Sequence, residues 1–281
     1  MLRAVEAAWS LKLSGMATPL HRGQESVAFR LGAVVLRIGP AWRSEKEAEW
    51  CYAVASEASR HYPLALAPLR TAHGSATIRV GGHPVSLWPF VDATAGETGN
   101  GVQARHAAQV LAGLHSALSR VTMPPRPPVS ATTAAVPGLD DAQLDVWLAE
   151  FHRHRPYAHP LHGDYYVGNV LVREDHIVAV LDWDEALVGP PEAELAWAAC
   201  EWGSVLQHGN LDEARVFVHA YLRHGGTADE LDDETMAQLY RSRLRWELAY
   251  EEANSGRHQE LTGPERLYRD RQMELFRSLR P

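Results

Sequence analysis

Lysine is almost missing from this chain: of its 27 basic residues only Lys12 and Lys46 are lysines, so a site that needs a fixed cation has to draw on arginine. Cysteine is scarce too. Cys51 and Cys200 sit in apolar helical patterns without metal or disulfide spacing, which excludes a disulfide scaffold and predicts two reduced core thiols. No apolar run approaches the ~20 residues a bilayer span requires, so no membrane partner is expected. The first fifteen residues, MLRAVEAAWSLKLSG, lack both an apolar core and a small-residue cleavage site. A secretory leader is therefore not expected, and the cytoplasm is the expected compartment. Positive charge is also in deficit. A net charge of −8 argues against nucleic acid as partner, which needs a basic face, and is compatible with a cationic small molecule.

What the chain does have is concentrated between Leu161 and Trp197. His162-Gly163-Asp164 is followed by Asn169, and then by Asp182 and Asp184. Two β-branched runs, 170–172 and 177–181, flank the polar turn Arg173-Glu174-Asp175-His176, which predicts a hairpin. A hairpin there brings Asn169 and Asp182 to one end, close to Asp164. Three oxygen-bearing side chains converging in this way suit a hard cation such as Mg²⁺, which keeps waters and phosphate oxygens among its ligands. A plain hairpin with helix caps would leave that clustering unexplained.

The stretch resembles the aminoglycoside phosphotransferase and choline kinase family, relatives of the protein kinases. There the catalytic loop reads HGD-x4-N and the metal loop D-W/F-D/E. The resemblance covers most of the chain, although only this central stretch is specific. It implies an α+β, two-lobed protein-kinase-like fold, with a small antiparallel β-sheet lobe over residues 1–90 and a larger, mostly helical catalytic and substrate-binding lobe over 91–281. It implies a kinase that moves the γ-phosphoryl group of ATP or GTP onto a small-molecule hydroxyl. Asp164 would position that hydroxyl and accept its proton, His162 would orient the catalytic loop, and Asn169 and Asp182 would hold Mg²⁺.

The same resemblance assigns parts of the first ninety residues. The turn through Gly23 and Ser26 would cover the nucleotide phosphates. Arg37, on a strand where most relatives carry lysine, would steady those phosphates, paired to Glu47. Glu47 also stands three residues after Ser44, a capping-box spacing, so two roles compete for one carboxylate. Trp88-Pro89-Phe90 resembles the hinge that meets the purine. Glu194 falls where the family has an aspartate that braces the catalytic loop. After the hairpin the chain reads as helical to its end, with Glu201, Glu247, Tyr250 and Glu251 as candidates to meet a polar or cationic acceptor.

Three further features of the sequence bear on this reading. His152, His154, His159 and His162 crowd one segment, but no pair has the spacing of a helical zinc site, which counts against a metal-dependent hydrolase. A non-catalytic nucleotide-binding module is disfavoured by an intact Asp164, Asn169 and Asp182. His115 lies on the apolar stripe of a helix and reads as a satisfied core histidine. The acceptor is expected to be a hydroxylated antibiotic, with an amino alcohol, amino acid or sugar as the rival. Oligomeric state has no signature in the sequence.

Overall fold

The computed structural model describes residues 1–20, 26–129, 131–254 and 262–280. A short helix, α1 (Leu2–Trp9), leads into five antiparallel strands: β1 (Thr18–Pro19), β2 (Val27–Leu31), β3 (Val34–Ile38), β4 (Thr77–Val80) and β5 (His83–Pro89). They form one sheet in the order β1-β2-β3-β5-β4. Its register shows why the pattern folds this way. Leu36 pairs with Leu87 and Val35 with Trp88, so the side chains alternate between the two faces. Leu36, Val85 and Leu87 pack on Val5 and Trp9 of α1. Val35 and Trp88 face the other way, into the main core.

Between β3 and β4 runs α2 (Glu45–His61), with Ser44 as N-cap: its Oγ accepts the Glu47 N–H at 3.1 Å. Tyr52 of α2 meets the Trp88 ring edge-on, with centroids 5.1 Å apart. Cys51 and Cys200 are both buried and unpaired.

The remainder is dominated by helices. After β6 (Thr94–Ala95) come α3 (Gly101–Leu118) and α4 (Ala142–His154). Asn100 caps α3, accepting the N–H groups of Val102 and Gln103. Asp141 caps α4. Then follow β7 (His159–Leu161), a single 3-10 turn over Val167–Asn169, and the hairpin β8 (Val170–Arg173) and β9 (His176–Val180). Glu174 and Asp175 both take positive φ, as the tight primed turn of a right-twisted hairpin requires.

Two short strands depart from the sequence reading. The stretch 92–101, rich in Gly, Thr and Ala and readable from its composition as a linker, contributes β6, which pairs with β8. The chain after the hairpin is not wholly helical, because β10 (Leu187–Gly189) pairs with β7. Both strands are too short for periodicity to show; the pairing partner, not local propensity, makes them strands. The chain closes with α5 (Pro191–Trp202), α6 (Val205–His208), α7 (Asp212–Arg223), α8 (Asp233–Asn254) and α9 (Gly263–Ser278). No helix among the described residues is long and apolar enough to cross a membrane.

The segment after α2 holds the hairpin along β9. The Leu66 N–H donates to Val180 O, and the Val180 N–H donates to Leu64 O. At its open end the Leu181 N–H donates to Asn169 O at 2.8 Å, which draws residues 169 and 182 together.

Candidate active site

The loop between β7 and β8 is shaped by glycine and by buried braces. Gly163 has φ +86, and a Cβ there would stand 2.1 Å from Glu185 O, so no side chain fits. Its N–H donates to Glu194 Oε1 at 2.5 Å, and the His162 N–H donates to Glu194 Oε2 at 3.2 Å. Glu194 thus reaches the loop despite its extra methylene. Burial would raise its pKa, but His115, whose Nε2 lies 2.8 Å from Oε2, holds it below the ordinary value. His115 is fully buried, with its other ring nitrogen on the Tyr221 hydroxyl, as a satisfied core histidine should be.

His162 sets the next step. Its Nε2–H donates to Leu181 O at 2.7 Å, which leaves Nδ1 to accept the Asp164 N–H at 3.2 Å. Burial pushes this imidazole below its ordinary pKa, consistent with a neutral ring. The ring packs on the fully buried Trp183 at 4.6 Å. One side chain therefore ties the loop carrying Asp164 to the loop carrying Asp182.

Asp164, Asn169 and Asp182 come together as the spacing predicts. Asn169 Nδ2 donates to Asp164 O at 2.9 Å and to Asp164 Oδ2 at 2.8 Å. With its amide nitrogen on Asp164, Asn169 has its Oδ1 turned from that carboxylate. Asp182 has φ +55, the left-handed region that a non-glycine residue enters only when its surroundings impose it. Arg37 NH2 donates to both Asp182 oxygens at 2.8 Å and lies 2.9 Å from Asp184 Oδ2. Burial would raise Asp182, yet the guanidinium holds it below its ordinary value. Asp184 Oδ1 is buried without a hydrogen-bond partner. This donor set fits a hard divalent cation: carboxylate and amide oxygens converge, and a positive group already lies on two of them.

The expected pair of Arg37 with Glu47 does not form. Arg37 reaches the aspartates and, through Nε, Ser26 Oγ at 3.0 Å. Among the described residues, Arg43 and Arg126 each stand 4.0 Å from Glu47. The buried Arg43, just before α2, also grips Asp184 Oδ2 at 2.5 Å. Two long guanidinium forks, rather than one ammonium, meet on Asp184.

Gly23 lies outside the described residues. Trp88 is buried, with its indole N–H on Ser86 Oγ. Pro89 has no N–H, and the Phe90 N–H is committed to Ala33 O at 2.8 Å, so neither can offer one to a purine.

The candidates on the later helices divide. Glu201 accepts the Tyr240 hydroxyl at 2.9 Å. Removal from water pushes its carboxyl up to about 7. The same cause, opposed by Arg243 and reinforced by Glu201 and Glu185, pushes Glu247 up to about 8. Burial, reinforced by the charges of Asp164, Asp182, Glu201 and Glu247, pushes the hydroxyl of Tyr166, two residues beyond Asp164, above its ordinary value. Burial, reinforced by Glu201, Glu247 and Glu251, likewise pushes the Tyr268 hydroxyl of α9 up. Tyr250 stacks on Trp246 at 5.4 Å and has no polar contact with Asp164.

Sequence reasoning missed Arg243 on α8. Its NH2 lies 3.2 Å from Asp164 Oδ1 and 2.9 Å from Glu185 Oε2, and its Nε 3.2 Å from Glu247 Oε1. Asp164 is pushed well above the ordinary carboxylate range by burial and by Glu185, with Arg243 opposing. The only trace in the sequence is an arginine-rich stretch, Arg241 to Arg245, whose separation from Asp164 by 79 positions hides the contact.

The profile of the phosphotransferase enzyme family matches residues 17–240. No curated protein sequence matches the chain. Solved structures share the fold at low identity. Amicoumacin kinase hAmiN, in complex with AMP-PNP, Ca²⁺ and Ami, superposes with TM-score 0.72 and 14% identity over 100% of this chain and 93% of that one. The microcompartment-associated aminopropanol kinase gives TM-score 0.64 and 14% identity, covering 99% of this chain and 94% of that one. A choline/ethanolamine kinase family protein from Mesorhizobium loti gives 0.63 and 17%, covering 95% and 88%. The α+β kinase-like fold expected from the sequence is the fold found.

Proposed function

Since the chain belongs to the phosphotransferase enzyme family and is a phosphotransferase acting on a hydroxyl group, we propose that it moves the γ-phosphoryl group of ATP or GTP onto an amine-bearing, hydroxylated antibiotic, conferring resistance. The observation that carries the phosphoryl-transfer part is the convergence of Asp164, Asn169 and Asp182 at one end of the hairpin, with Arg37 on Asp182. In this reading residues 1–90 hold the nucleotide and residues 91–281 supply the catalytic loop and the acceptor pocket.

Asp164 receives the proton of the acceptor hydroxyl as the new O–P bond forms. The bond between the γ-phosphorus and the β–γ bridging oxygen breaks, and the nucleoside diphosphate leaves. His162 fixes the loop in register, and Arg37 turns from Asp182 to the phosphates. Asn169 Oδ1 and Asp182 would hold Mg²⁺, which when bound neutralises phosphate charge. The chain's own contribution is positioning and preorganised charge rather than a covalent intermediate.

The amine follows from the carboxyls. Glu185 and Glu247 flank Arg243 beside Asp164, and burial pushes the carboxyls of Glu201 and Glu247 up, so an ammonium group on the acceptor would draw them into the charged form and pair with them. The likeness to an amicoumacin kinase favours an antibiotic. The likeness to an aminopropanol kinase supports a second reading, a metabolic amino-alcohol kinase, whose substrate would satisfy the same carboxylates.

The test is a nucleotide-consumption screen with ATP and with GTP, against aminoglycosides, other hydroxylated antibiotics and small amino alcohols, with mass detection of a product heavier by one phosphoryl group. A phosphorylated antibiotic supports the first reading, and turnover of amino alcohols alone replaces it with the second. A protein that phosphorylates none of them and releases no phosphate from either nucleotide refutes both.

A further inference from the structure

Arg243 has no place among the parts assigned above, yet it touches the residue on which the chemistry turns. Building on the phosphoryl-transfer reading, we propose that Arg243 is a positioning residue for Asp164: it pins the carboxylate that meets the acceptor and screens it from Glu185 and Glu247. Each Asp164 oxygen has one donor, Oδ2 from Asn169 Nδ2 at 2.8 Å and Oδ1 from Arg243 NH2 at 3.2 Å. Held at both oxygens, the carboxylate keeps one rotamer and presents its remaining lone pairs to the acceptor. Without the guanidinium, Asp164 Oδ1 would lose the donor that holds it and Glu185 the cation that pairs with it, and the Asp164 carboxyl would be free to turn.

Arg243 is built to stay. Its plane lies over the Trp197 ring at 4.9 Å and the Trp246 ring at 4.8 Å. Its NH1 donates to Gly163 O at 3.3 Å, tying it to the backbone of the loop it serves. A group held by two rings, a carbonyl and three carboxylates is a fixture of the site rather than a gate that swings aside. A cation at the catalytic aspartate is thus supplied from α8, distant in sequence from the loop.

The test uses Mg²⁺-dependent hydrolysis of ATP with water as the acceptor. Here the water proton passes to Asp164, the new O–P bond yields phosphate, and ADP leaves. Arg243→Met should lower kcat by ~10–100-fold, the scale of a lost charge-assisted hydrogen bond, with KM for ATP within about twofold of wild type. Arg243→Lys should recover part of the rate, and so should guanidinium chloride at millimolar concentration added to Arg243→Met. The Arg243→Met/Asp164→Asn double variant should be no slower than Asp164→Asn alone, because one residue acts through the other. A merely structural role would make the two losses multiply and would raise KM for ATP alongside the fall in kcat; either result overturns the proposal. If Arg243→Met fails to fold, Arg243→Lys carries the same test, with a reduced kcat at unchanged KM expected. A wild type that Asp164→Asn disables, beside an Arg243 variant with full kcat, sinks this inference alone. A wild type whose hydrolysis ignores Asp164→Asn sinks the phosphoryl-transfer reading, and this role with it.

Discussion

Replacing Arg37 with alanine should make the protein bind a divalent cation more tightly when no nucleotide is present, and bind nucleotide more weakly. In the structure one guanidinium nitrogen covers both Asp182 oxygens at 2.8 Å and lies 2.9 Å from Asp184. A metal ion approaching Asp182 has to displace it. A charge pair at ~3 Å is worth about 5 kcal/mol at an effective dielectric constant of ~20. Asp182 is 38% exposed, so solvent screening together with the desolvation of Arg37 offsets most of that, leaving the ~1.5–3 kcal/mol typical of a charged hydrogen bond. Removing the competitor should therefore tighten metal binding by ~10–150-fold. With nucleotide present the sign reverses, because the phosphates have lost their cation. The assay is Mn²⁺ titration of wild type and Arg37→Ala by calorimetry, each with and without a non-hydrolysable ATP analogue. Wild type should show metal and nucleotide each strengthening the other, since the phosphates draw Arg37 off Asp182; the variant should have lost most of that coupling. An Arg37→Ala protein that binds Mn²⁺ alone no better than wild type would refute the reasoning.

Other expectations concern single positions. Asp164→Asn should cut kcat by ~10²–10⁴-fold with nucleotide affinity little changed, measured by turnover and titration on one preparation; equal loss of both would show that Asp164 has been given the wrong role. Glu247 holds its proton up to about pH 8 when folded, against an unfolded value near 4.5. Between those values the folded state binds the extra proton, so stability falls as pH rises. Glu247→Gln should flatten that slope and gain a few °C in Tm at pH 8 but none at pH 4, by thermal denaturation across pH; a slope identical to wild type would contradict the assignment. Gly163→Ala places a Cβ 2.1 Å from Glu185 O. It should lower Tm by several degrees and abolish turnover, and a fully active alanine variant would mean the loop does not need its left-handed turn.

What could be read in advance was what the chain encodes locally. Alternating β-branched runs around Glu174-Asp175 specify the hairpin, and the hairpin alone brings Asn169 to Asp182. Ser44 announces α2 because a cap acts within one turn. The brace at Glu194 is implied by the family resemblance alone, and the longer side chain still reaches the Gly163 N–H. The errors were nonlocal. Whether Glu47 meets Arg37 or Arg43 depends on how the loop after β3 returns to α2, and the spacing of charges does not encode that path. Arg243 lies on a helix whose apolar pattern fixes that it packs but not which loop it packs against. β6 and β10 became strands because β8 and β7 were there to pair with them.

The strand arginine has a consequence for how this protein can be detected. Reagents that find nucleotide-binding enzymes in cell extracts often carry an acyl phosphate or a sulfonyl fluoride on an adenosine scaffold and wait for a nearby amine to attack. The usual amine is the one on the strand that faces the phosphates. Here that strand ends in a guanidinium, protonated throughout the workable pH range. The two amines the side chains do offer, on Lys12 and Lys46, are exposed, the first beyond α1 and the second on the outer face of α2. Such a survey would pass over this chain however full its cleft, and an Arg37→Lys form, made only to be labelled, would reveal in the same experiment whether a nucleotide sits where the strand points.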